Sequence, residues 1–139
     1  MDFKLELVVV PVSDVDRAKT FYTERVGFHL DVDHRAGETF RVVQMTPPGS
    51  ACSIAIMAPA SDAPGSLQGL HLIVSDIEAA HAELAGQGVA LSDYFHFGSA
   101  GQMTGLDPGR ADYGSFFSFS DPDGNGWLVQ EVPSRREPS

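Results

Sequence analysis

Positive charge is scarce in this sequence. Lys and Arg number 9 against 19 Asp and Glu, a formal net charge of −10. A nucleic-acid surface must meet phosphate with Lys and Arg, so nucleic acid is disfavoured as a partner, and anionic membrane surfaces with it. The single cysteine, Cys52, excludes an internal disulfide framework and a cysteine-based zinc site, and it reads as a small buried hydrophobe. No apolar run approaches the roughly 20 residues that span a bilayer. The opening Met1-Asp2-Phe3-Lys4 lacks the charged-then-apolar pattern of a secretory signal. The expectation is a cytoplasmic protein. The chain also has no Gly-rich phosphate loop after a strand, no His-Glu-x-x-His and no nucleophile elbow.

What the chain does have is a repeat. Val8-Val9-Val10-Pro11-Val12-Ser13-Asp14-Val15-Asp16-Arg17-Ala18 is echoed by Leu70-His71-Leu72-Ile73-Val74-Ser75-Asp76-Ile77-Glu78-Ala79-Ala80. Each copy is an apolar run, then Ser-Asp, then an acidic residue and Ala. That pattern reads as a strand entering a capped helix, with Ser13 and Ser75 as the caps. In the first half, residues 5–12 read as a strand with both faces covered. Val15, Ala18, Phe21, Tyr22 and Val26 then share one helical face, and Gly27 ends the helix. Strands follow over 28–33, 39–45 and 51–57. In the second half the strand is 69–74, and Ile77, Ala80 and Leu84 face the core from the helix. Strands follow within 89–97, over 113–120 and over 126–132, the last two joined by the turn Asp121-Pro122-Asp123-Gly124-Asn125.

The reading is one α+β domain over 1–139, built from two tandem β-α-β-β-β modules. Module one covers about 3–58, a linker about 59–68, module two about 69–133, and a frayed tail 134–139. Residues 98–112 read as a long, structureless, Gly-rich loop. Loops of that length inside compact domains are uncommon and are usually lids or disordered.

Pro11-Val12-Ser13-Asp14-Val15-Asp16-Arg17-Ala18, Phe21-Tyr22, Val26-Gly27-Phe28 and the turn Asp121–Asn125 together resemble the vicinal oxygen chelate superfamily: glyoxalase, bleomycin resistance protein and extradiol dioxygenase. The resemblance spans nearly the whole chain. It implies curved mixed sheets around a ligand cavity between modules, with helices on the convex side, and a homodimer. Metal-dependent members of that superfamily carry their first ligand seven residues before the Asp that opens the helix. This chain has Leu7 and Gly69 there. Another ligand follows the hairpin Asp by seven residues, where Leu128 stands, and its partner in the first half falls at about Ser53. Leucine and glycine side chains offer no lone pair, and a serine hydroxyl is a poor transition-metal ligand. The expectation is no metal and no cofactor.

Side chains two apart on a strand share a face. If positions 69 and 128 face the cavity, His71 and Gln130 do too. His71 reads either as a general base or ligand contact, or as a core histidine satisfied by a neighbour. Gln130 would orient a ligand, or be a buried amide. Tyr94 and His96 share a strand face and read as ligand contacts at the cavity mouth, or as rim packing. Arg41 faces opposite to Gln44. A strand Arg is more often on the solvent side than an anion clamp, and the clamp is kept as a ligand-binding candidate. Phe116, Phe117 and Phe119 read as core or cavity wall, core being preferred, Trp127 as packed beneath a helix, and His29, His34 and His81 as surface residues.

Two functions compete. One is a metal-independent protein that binds a small organic molecule, aromatic compounds included. The other is an enzyme on the same scaffold (isomerase, lyase or dioxygenase), either metal-free with His71 as acid or base, or metal-dependent with displaced ligands such as His71, His96 and Gln130.

Overall fold

The structure is a computed structural model, and it describes residues 1–60 and 62–136. Two α-helices open where the repeat places them, α1 at Val15–Thr20 and α2 at Ile77–Gly86. Their caps are Asp14 and Asp76, each accepting a hydrogen bond from the third residue on, Arg17 N–H and Ala79 N–H. The expected Ser13 cap is thus corrected by one residue. The Ser13 hydroxyl donates to Asp123 instead, at 2.6 Å. Beyond Thr20 the first helix widens into a π-helical turn, Phe21–Arg25, closed by Val26 N–H to Phe21 O.

Two compact units result. Unit 1 comprises residues 1–67 with Asp121–Asn125, and unit 2 comprises Gln68–Ser120 with Gly126–Ser139. Unit 1 carries β1 (Leu7–Val9), β2 (His29–Ala36), β3 (Phe40–Thr46) and β4 (Ser53–Ala58), in sheet order β1-β4-β3-β2. Only β1 against β4 is parallel. The first strand is shorter than the apolar run that announces it, and Leu5 is largely exposed. Val43, Met45, Ile54 and Ile56 line the face covered by α1 and are almost fully buried, as are Ala18 and Tyr22.

Unit 2 carries β5 (Leu70–Val74), β6 (Phe95–Gly98), β7 (Gly101–Thr104), β8 (Ser115–Ser120) and β9 (Gly126–Glu131), in order β5-β9-β8-β6-β7. β7 corrects the expected structureless loop. Gly101, at φ +100°, lets the chain fold straight back from Gly98, and Gln102 to Thr104 add a fifth strand. Residues 105–114 are also well tied. Gly105 N–H donates to Tyr94 O, Asp107 N–H to Ser115 Oγ, and Tyr113 N–H to Glu131 O. Phe117, Phe119, Trp127 and Val129 form the core beneath α2, as expected for Trp127.

Among the described residues the architecture is therefore two mixed sheets with few helices and no closed barrel, the α+β fold expected, with one strand more in the second unit. No described helix is long and apolar enough to cross a membrane. Of the expected tail, residues 137–139 lie outside the described residues.

Candidate functional site

Each sheet has a face turned away from its helix, here called the distal face. In unit 2, α2 identifies the other side: Ile77 N–H donates to Glu131 Oε2, and the His81 ring meets Phe117 edge-on. His81 is thus half-buried rather than the surface residue expected. The register then assigns the distal face. Ile73 pairs with Gln130, Gln130 with Phe116, Phe116 with Phe95 and Phe95 with Thr104, so these five residues form one row across all five strands. The neighbouring row is His71, Leu128 and Ser118.

His71 and Gln130 share this face, as their spacing from 69 and 128 requires. His71 is exposed, so it is not a core histidine. Its Nδ1 lies 2.7 Å from Gly69 O, and a carbonyl only accepts. Nδ1 therefore carries the proton in the neutral ring, and Nε2 presents a lone pair. The Gln130 amide N–H donates to Tyr113 O at 3.0 Å, which fixes the orientation of its oxygen. Tyr113, at φ +66°, is half exposed, and its hydroxyl accepts from Arg135 at 2.9 Å.

The distal face also carries an aromatic corner that parity alone does not reveal. Phe95 and Phe116 are stacked, with centroids 5.4 Å apart and planes at 8°. Phe97 stands across them, 5.4 Å from Phe116 at 82°. Phe97 is 60% exposed, which is unusual for a side chain whose burial is worth about 2 kcal/mol. Phe116 is buried as expected, at 7% exposure, but on this face of the sheet, whereas Phe117 and Phe119 are buried on the other.

Tyr94 and His96 are not brought to His71 and Gln130. His96 pairs with Ser115 on the helix-bearing face, is buried, and its Nδ1 lies 2.7 Å from Gly105 O. Tyr94 packs against His81 and Phe117, and burial pushes its phenol pKa upward. Tyr94 and Phe95 also line a cavity of about 300 Å³ with Thr104 and Ser118. A donor set of His71, His96 and Gln130 is not assembled, because His96 lies on the opposite face.

Arg41 corrects another expectation. It is 8% exposed rather than on the solvent side. Its guanidinium holds Asp33 with two bonds, at 3.0 and 2.9 Å, and Asp16 with one at 2.6 Å. These bonds, with Lys19 on Asp33, hold both carboxyls below the ordinary aspartate range. Arg41 lines a cavity of about 570 Å³ with Val12, Val15, Phe40, Met57 and Pro59, but its charge is already answered there.

Leu7 and Ser53 are direct partners across β1 and β4, whereas in unit 2 Leu128 pairs with His71, two residues beyond Gly69. With Gly69 and Leu128, the four positions supply one hydroxyl between them, which does not fit a divalent cation. Among the described residues no three His, Cys, Asp or Glu side chains are grouped to hold a metal.

Each of the two units is thus a mixed sheet with a helix on one face. The chain belongs to the Glyoxalase/Bleomycin resistance protein/Dioxygenase superfamily, whose family model matches residues 4–129. It is 34% identical to TnmS3, an antibiotic binding protein from Streptomyces sp. CB03234, over 94% of this chain and 97% of that one, with a TM-score of 0.73. A glyoxalase/bleomycin resistance protein from the same organism is 36% identical over 92% of this chain and 100% of its own, with a TM-score of 0.69. An uncharacterized protein of Bacillus subtilis (strain 168), YetH, is 31% identical over 89% of this chain and 94% of its own length.

Proposed function

We propose that the protein binds a small organic molecule with an aromatic portion, without a metal ion and without altering it. The observation that carries this reading is the corner of Phe95, Phe97 and Phe116 on the distal face of unit 2. Two parallel rings with a third across them offer both stacking and edge contacts to a planar guest. Gln130, next to Phe116 across the strands, and Nε2 of His71, one row away, supply acceptors that orient it. An apolar wall with few polar groups is the usual make-up of an organic-ligand site. The antibiotic-binding relative supports the ligand class. The reading includes a cytoplasmic homodimer, which light scattering would register as about twice the 14.9 kDa chain mass.

Phe97→Ala tests the corner, because an exposed ring contributes little to stability. Affinity for an aromatic ligand found by thermal-shift screening of antibiotics is expected to fall about fivefold to tenfold, with the melting temperature of the free protein unchanged. Unchanged affinity would remove the corner from the site.

One observation favours a second reading, an enzyme with His71 as its base. The Nδ1 bond to Gly69 O directs a lone pair from Nε2 onto the distal face, the tautomer a general base needs. His71→Ala that abolishes a turnover while leaving affinity within a few-fold would establish it over simple binding.

A further inference from the structure

The distal face of unit 1 carries a second polar feature, built by a β-bulge. In the β2–β3 ladder His29 pairs with Thr46, Leu30 with Met45 and Val32 with Gln44, so Asp31 is one residue too many. A bulge re-aims the extra side chain. Here it turns Asp31 to the same side as Thr46, whose hydroxyl donates to Asp31 Oδ2. The Thr46 hydroxyl oxygen in turn lies 2.6 Å from Ser53 Oγ.

The direction of this chain is fixed by charge. An ionised carboxylate only accepts, so Thr46 must donate to Asp31 and Ser53 must donate to Thr46. Both hydroxyl protons are committed, and what the chain presents outward is lone pairs. Ser53 is buried and acts as the foot of the buttress, while the Asp31 side chain is 30% exposed. The two other aspartates of this unit that meet β3 are already answered: Asp33 by Arg41 and Lys19, Asp16 by Arg41. Among the described residues the one cationic group near Asp31 is the exposed His29 imidazole, at 3.6 Å and beyond hydrogen-bond distance. Beside it on the same face run Val32, Gln44, Ala55, Val9 and then Val42 and Met57, a mainly apolar floor.

We propose that Asp31, held by Thr46 and Ser53, is a binding site for a cationic, hydrogen-bond-donating group, an ammonium or guanidinium, on a ligand whose apolar body lies along that floor. This rests on the reading of the distal faces as ligand surfaces and names a chemical class for one of them. Charge-assisted hydrogen bonds to a pre-oriented carboxylate are stronger than neutral ones, and the buttress removes the rotamer cost of forming them.

Three near-isosteric probes test it: phenethylamine, phenethyl alcohol and phenylacetate, titrated against the whole protein and followed by amide nitrogen–proton correlation spectra. The amine is expected to bind about tenfold more tightly than the alcohol and to shift the amides of Asp31, Thr46 and Ser53, with phenylacetate weakest. Asp31→Asn should erase the preference, and Thr46→Val should reduce it while retaining side-chain shape. Should Asp31→Asn fail to fold, the Thr46→Val series and the wild-type shift map still decide the matter. A preference for the amine that survives Asp31→Asn would overturn the proposal. Equal binding of amine and alcohol, with shifts confined to the strands of Phe95 and Phe116, would also overturn it while leaving the aromatic face standing. No binding of any probe to either sheet would count against both.

Discussion

Arg110→Ala is expected to lower the unfolding free energy by about 3 kcal/mol, near the low end for breaking a buried ion pair because Arg110 itself is partly exposed. Glu131 is 1% exposed at the end of β9, beneath the start of α2. Arg110 approaches it with two bonds, Nε to Oε1 at 2.8 Å and Nη2 to Oε2 at 2.6 Å, and adds Glu78 at 3.0 Å. Removing the guanidinium strands a carboxylate whose remaining partner is Ile77 N–H. It also frees residues 105–114 at a point where Arg110 holds φ +47°, a conformation the chain must be held in. The pH dependence gives a second signature. Arg110, chiefly by hydrogen bonding, keeps the Glu131 carboxyl below the ordinary glutamate range. A carboxyl lowered in the folded state contributes stability that is complete above its unfolded pKa and is lost as pH falls through its folded one. Without Arg110 that contribution is gone. Urea unfolding at about pH 7 and about pH 4 should therefore show the variant losing less stability on acidification than the wild type. Replacing Arg110 and Glu131 together by methionine should cost less than Arg110→Ala alone.

Asn125→Ala is expected to cost a similar amount, about 3 kcal/mol, through unit 1. Asn125 is fully buried, and its side chain serves three groups at once. Its amide N–H groups donate to Pro11 O at 2.8 Å and Asp121 Oδ2 at 2.7 Å, and its oxygen accepts from Leu67 N–H at 3.1 Å. Asp121 in turn accepts from Tyr22 Oη–H at 2.8 Å and from the backbone of Asp123 and Asn125. Truncation leaves the buried Pro11 carbonyl and the half-buried Leu67 N–H without their partner, and a buried group so stranded costs about 1–3 kcal/mol. Thermal or urea unfolding checks the figure. A loss below about 1 kcal/mol would mean that water replaces the amide.

What could be read from the sequence follows the range over which its determinants act. Helix starts are local, and both Ser-Asp steps announce them. The choice between Ser and Asp as cap is not local, because the Ser13 hydroxyl is claimed by Asp123, 110 positions away. Strand parity is local too, so His71 with Gln130 and Tyr94 with His96 are each placed on a common face. Which face bears the helix depends on register with neighbouring strands, and that sends Tyr94 and His96 to the other side. The aromatic corner depends on the same register: Phe95 and Phe116 become neighbours only through the β6–β8 pairing. Arg41 is buried because Asp16 and Asp33 arrive from α1 and β2, which a strand-by-strand reading does not combine. β7 is short and polar and leaves no strong periodicity. The bulge at Asp31 has no sequence signal in an alternation as irregular as that of β2.

The central claim is that the distal aromatic corner of unit 2 receives the ligand. Spectra of the protein with labelled phenylalanine rings, recorded with and without a bound aromatic compound, test it directly. The rings of Phe95, Phe97 and Phe116 are expected to shift, while Phe117 and Phe119, on the helix-bearing face, stay in place. Shifts at Phe117 and Phe119 with Phe95, Phe97 and Phe116 unmoved would contradict it.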